Sequence, residues 1–104
     1  MAHYLVRAKA DPTLEAELSE KIKTRSFVDL KPFGRAMTIG LENARIDHAG
    51  RWAWEEEDYC TPPLKQEKVA VLDRYFRHLD IEKVREGEGW KQIEELRRVF
   101  PRTG

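Results

Sequence analysis

Apolar and polar residues alternate from the start of the chain. Tyr4, Val6 and Ala8 fall on one side of an extended backbone, and His3, Leu5 and Arg7 fall on the other. This period of two predicts a strand over residues 3–10. Asp11 and Pro12 follow, a good N-cap and a favoured first helical residue. Leu14, Leu18 and Ile22 then recur every fourth position, with charged residues off the stripe. They predict a helix that ends near residues 24–26 and lies on a sheet. Phe27 to Gly34 read as a connection punctuated by Pro32 and Gly34.

Residues 35–46 predict a second strand, with Met37, Ile39 and Leu41 as its apolar face. Gly40 inside it suggests a bulge or the close approach of another backbone, and residues 41–45 are also compatible with a helical turn. Residues 47–50 have turn composition, and residues 51–59 return as the partner strand of a hairpin. Thr61 and Pro62 stop that strand and open a helix over residues 63–78. Its stripe is Val69, Leu72 and Phe76, widened by Val71 and Tyr75 and continued by Leu79. Residues 80–85 predict a short fourth strand, and residues 86–89 break it. Residues 90–100 predict a last helix with Ile93, Leu96 and Phe100 on one face, ended by Pro101.

The order strand, helix, strand, strand, helix, strand, helix implies one α+β domain over residues 1–104. Its expected form is a ferredoxin-like antiparallel sheet (βαββαβ) with helices on one face and an extra C-terminal helix. The other sheet face is expected to be bare. Trp52 and Trp54 would add apolar area to it, and a second copy of the chain would bury it, so a homodimer is expected. The size and element order resemble the dimeric α+β barrel group, in which two such sheets close into one barrel. That group includes monooxygenases, isomerases and proteins without assigned activity, so the resemblance transfers no mechanism. The His–Asp pair used by one branch has no matching motif here.

Composition narrows the function classes. The charged fraction is 37% of 104 residues, against roughly 25% in ordinary globular chains, so the surface is densely ionic. Basic and acidic residues balance at 19 each. Zero net charge removes the long-range pull used by most nucleic-acid binders. A local basic patch at Arg97, Arg98 and Arg102 reads as a solvated helix end. The aromatic strand is acidic, which argues against an RNA-binding sheet. Cys60 is the single cysteine, so no intrachain disulfide is expected, and a reducing, cytoplasmic setting fits. No stretch approaches the ~18 apolar residues of a membrane span.

The densest chemistry lies in residues 52–60, where Trp52, Trp54, Glu56, Asp58 and Cys60 share one strand face. Four consecutive acids are poor strand formers, and two fall on each face. Carboxylates two residues apart on one face are ~7 Å apart. Two readings follow. In one, Glu56 and Asp58 sit beside Trp54 at a cavity mouth, where repulsion and burial raise one pKa for acid–base work. In the other, the acids pair with Arg7, Arg35 and Arg45 on neighbouring strands. The pocket version assigns Trp52, Trp54, Glu56, Asp58, Tyr4 and Arg35 as lining residues of a small-molecule site. His3, His48 and His78 have no metal-ligand spacing, and neither a metal nor another cofactor is expected. Cys60 reads as a small filler, and the turn at residues 87–90 as a device that delivers Trp90 to the core. The competing class is a non-enzymatic interaction or assembly module that uses the aromatic face.

Overall fold

The computed structural model describes residues 2–101 and has a five-stranded antiparallel sheet. Strand β1 (Ala2–Ala10) is central, between β3 (Trp52–Asp58) and β4 (Phe76–Val84). Short strand β2 (Arg45–Ile46) pairs with β3, and β5 (Arg97–Arg98) closes that edge. The order across the sheet is β4-β1-β3-β2-β5. The alternation in β1 is buried on both sides: Val6 and Ala8 join one apolar cluster and Leu5 another.

The larger cluster lies under a helical layer. Helix α1 (Glu15–Lys23) contributes Leu18 and Ile22, and α2 (Gly34–Glu42) contributes Met37 and Leu41. A third helical run comes in pieces: α3 (Lys65–Glu67), one π-helical turn (Lys68–Leu72) and α4 (Asp73–Tyr75). It buries Leu64, Val71, Leu72 and Tyr75. On the opposite face, α5 (Glu88–Ile93) lays Ile93 over Leu5 and Ala53.

The segment expected as a strand over residues 35–46 is a helix for most of its length. Gly34, Met37, Thr38 and Leu41 are buried at spacings of three and four, while Ile39 is 42% exposed. A strand would have buried Met37, Ile39 and Leu41 together. The glycines allow close packing. A Cβ on Gly34 would collide with the Phe27 carbonyl oxygen, and one on Gly40 would stand 2.8 Å from Trp54 Cδ1.

Other boundaries also move. The run expected as one helix over residues 63–78 ends at Tyr75, and β4 already begins at Phe76. His78 therefore lies in a strand, at a positive φ of 57°, where the β1–β4 register shifts. This is a β-bulge rather than a helix end. The last helix stops at Ile93, and Arg97 and Arg98 form β5 instead of a solvated helix face. Arg98 donates to the carbonyls of Phe100 and Glu42 and to Asn43 Oδ1. Arg102 lies outside the described residues.

The bare aromatic sheet face is not found. Trp52 and Trp54 are 1% and 0% exposed, beneath the helices rather than opposite them. The Trp52 ring meets Phe76 and Phe100 edge-on at centroid distances of 5.3 and 5.6 Å. The second face is partly roofed by α5. Next to the roof, Arg7 is half-buried and Lys9, Asp80 and Glu82 are exposed.

Candidate functional site

Strand β3 divides its four acids by alternation, and each pair meets a different layer. Glu55 faces α5. Its carboxylate accepts backbone N–H groups from Gly87 at 2.8 Å, Gly89 at 2.7 Å and Trp90 at 3.3 Å. Gly87 has φ of +83°, which brings those amides together at the start of the helix. This carboxylate is an anchor for α5, and Trp90 arrives half-buried as the sequence suggested. Glu57 is partly exposed and accepts from the Tyr59 hydroxyl.

Glu56 and Asp58 face the helices, where they meet Glu67. The three are 3%, 5% and 0% exposed. Trp54 Nε1 donates to Glu56 Oε1 at 3.0 Å, so this tryptophan orients an acid. Asp58 Oδ2 accepts the backbone N–H of Leu64 at 2.6 Å and of Cys60 at 3.1 Å. That tie holds Leu64 in the left-handed region, at φ of 61°, a conformation unfavourable for leucine. The turn there directs Glu67 back under β3. Immediately after Glu67 comes the π-helical turn, a feature often found at functional sites.

Glu56 Oε2 and both carboxylate oxygens of Glu67 have no hydrogen-bond donor among the described residues. No arginine or lysine forms an ion pair with Glu56, Asp58 or Glu67 among those residues either. Arg7 instead approaches Glu82 at 3.7 Å, and Arg45 Nη1 donates to the carbonyls of Glu94 and Leu96. Burial pushes the Glu56 carboxyl well above the usual range, with Glu67 beside it adding to the effect against the Trp54 N–H. Burial raises Glu67 as well.

Cys60 joins this cluster to the surface. One ligand atom from each of Asp58, Cys60 and Glu67 lies within 4.8 Å of the others. The Gln66 backbone N–H draws the Cys60 thiol down, while burial and the Asp58 charge push it up, and the balance lies above the ordinary value. Half-buried Cys60 also lines an open cleft of about 490 Å³. Phe33 and Val69 give that cleft an apolar wall, and Lys31 and Lys65 give it two cations. Its lining contains no carboxylate among the described residues.

The structure therefore brings together Trp54, Glu56 and Asp58 of the residues expected at a site. Trp52 lies further along the core, against Phe76 and Phe100. Tyr4 pairs across the sheet with Glu56 and is half-buried, and Arg35 is exposed on α2 and is not part of the cleft. His48 and His78 are exposed, and His3 stands 3.6 Å from Glu55 and 3.7 Å from Glu86, on the other sheet face. Glu67 was missed. It stood in the sequence as an acid three residues after Leu64 and four before Val71, on the buried stripe of its own helical run.

No protein-family model, no curated protein and no solved structure matches this chain.

Proposed function

We propose that this protein binds a small molecule that has an apolar body and an anionic group, in the cleft over Cys60. The carrying observation is the composition of that cleft: Lys31 and Lys65 beside the apolar wall of Phe33 and Val69, with Cys60 leading to buried polar groups. A cleft of about 490 Å³ is in the range of small-ligand sites, and few convergent polar groups on an apolar lining is their usual make-up. The lysines would receive the anionic group, and Phe33 and Val69 the apolar body.

The fold reading behind this is ferredoxin-like. The antiparallel order β4-β1-β3-β2, with helices α1 and α2 between β1 and β2 and the broken helical run between β3 and β4, supports it. The alternative, an assembly module using the tryptophan face, has lost its surface, because Trp52 and Trp54 are in the core.

The test is native mass spectrometry of the purified protein, followed by thermal-shift screening with alkyl and aryl carboxylates and phosphate monoesters. A stoichiometric adduct or a stabilising anion is expected in the wild type. Val69 is 80% exposed, so Val69→Trp should fill the cleft without disturbing the fold and abolish the response. Binding that survives both Val69→Trp and a Lys31→Glu/Lys65→Glu double variant would refute the assignment.

A further inference from the structure

We propose that Asp58, Cys60 and Glu67 form a binding site for a divalent transition-metal ion of the zinc class. This deepens the cleft reading and rests on it for the role of the ion, because Cys60 belongs to both. Asp58 ends β3, Cys60 follows it in the connection and Glu67 lies on α3; the Leu64 turn brings them together, and their ligand atoms lie within 4.8 Å of one another. Ligand atoms around a tetrahedral zinc ion are roughly 3.3–3.8 Å apart, given metal–ligand bonds of about 2.0–2.3 Å. Small side-chain rotations close the difference.

A cluster of acids alone would not make a site. The independent observation is that buried oxygens converge here without donors. Glu67 is 0% exposed, and neither of its oxygens has a donor among the described residues. Glu56, 3% exposed and outside the trio, lies beside Glu67 and has its own donorless Oε2. Leaving such groups unpaired costs several kcal/mol in principle, and buried charges in proteins are paired or ligate metals. Every other buried acid on β3 is provided for: Glu55 has three backbone N–H groups. Among the described residues no cation pairs with the cluster, and Arg7 and Arg45 are engaged elsewhere.

Donor chemistry selects the ion. Calcium and magnesium take all-oxygen shells. A thiolate with two carboxylates suits a borderline ion such as Zn²⁺ or Co²⁺. Three protein ligands leave a fourth position, and Cys60 places the ion between the acids and the cleft. A cation there also removes an electrostatic conflict. An anion held by Lys31 and Lys65 would otherwise lie near the buried acids behind Cys60. With the ion present, its anionic group completes the coordination shell.

The test uses chelator-stripped full-length protein titrated with Co²⁺ and Zn²⁺ alone. One equivalent per chain is expected, with a near-ultraviolet thiolate-to-cobalt band and visible absorption of tetrahedral intensity. Cys60→Ser should abolish the near-ultraviolet band. Glu67→Gln, which keeps the shape of the side chain and removes a repelling charge, should weaken affinity at least tenfold while remaining folded by circular dichroism. Should Glu67→Gln fail to fold, the band in the wild type and its loss in Cys60→Ser decide alone. Absence of stoichiometric uptake, or uptake unchanged in Cys60→Ser, would overturn the site. Val69→Trp separates the two readings. It should block the small ligand and leave cobalt binding intact. Ligand binding by metal-free protein that Val69→Trp removes, with no cobalt uptake, would sink the ion and keep the cleft.

Discussion

Asp47 shows how a surface carboxylate contributes. Its Oδ1 accepts the backbone N–H groups of Ala49 and Arg51 at 2.9 Å each, and the Arg51 Nε lies 3.0 Å from Oδ2. Against partial burial, these partners hold its pKa below the ordinary 3.8. A depressed folded-state pKa means that the unfolded chain takes the proton first as pH falls. The stability from Asp47 is therefore complete above the unfolded value and is lost as pH drops through the folded one. Urea midpoints of the wild type should fall between about pH 5 and pH 3. Asp11, Glu17 and Glu42, also held low, act in the same direction. Asp47→Asn should fall less steeply across that window, and identical slopes would remove the argument. Residue chemistry was partly legible in advance. The turn at residues 47–50 and the shared strand face of Glu56 and Asp58 follow from composition and alternation. Glu67 was hidden because a lone acid on an amphipathic helix reads as solvated until its stripe is known.

At the scale of elements, β1, β3 and the first helix were legible, and the segments near glycine were not. Residues 35–46 have apolar positions that fit both a two-residue and a near-four-residue period. Gly40 reads as a strand bulge or a close approach of another backbone; it lies in α2, where it meets the Trp54 side chain and the Glu55 carbonyl. Residues 90–100 have a helical stripe, yet the chain turns after Ile93, and Arg45 takes the Glu94 and Leu96 carbonyls that a longer helix would use. Helix α5 has only six residues, too few for stability of its own. It depends on Ile93 and on the Glu55 carboxylate. Glu55→Gln replaces one acceptor oxygen by a donor aimed at backbone N–H groups. Hydrogen bonds to charged groups contribute about 1.5–3 kcal/mol, so the loss should be local and large. Hydrogen exchange should show residues 87–93 losing protection while α1 and α2 keep theirs. Unchanged protection of α5 would show that Ile93 packing alone holds it.

For the molecule as a whole, alternation revealed the central strand but not which sheet face the helices cover. Both faces of β3 mix apolar and acidic residues, so pattern alone could not choose. The expected element order leaves one sheet face bare, and the sequence reading puts Trp52 and Trp54 on it. In fact their area is needed in the core of a 104-residue domain. The remaining open part of the sheet carries Lys9, Asp80 and Glu82, which are costly to desolvate against a second copy. Sedimentation equilibrium should accordingly give a mass near 12.2 kDa, that of one chain. A concentration-independent doubled mass would mean that another surface mediates association.

The wide turn at Lys68–Leu72 has a consequence for comparing sequences. A π-helical turn accommodates one residue more than a regular helix spanning the same strand. A chain one residue shorter in this stretch would still cover the sheet with the same leucines and aromatics. It would rotate the preceding acid by about 100° and leave nothing beneath the indole N–H's partner. Segment length, more than composition, is thus the mark by which to recognise other chains with the same buried acids.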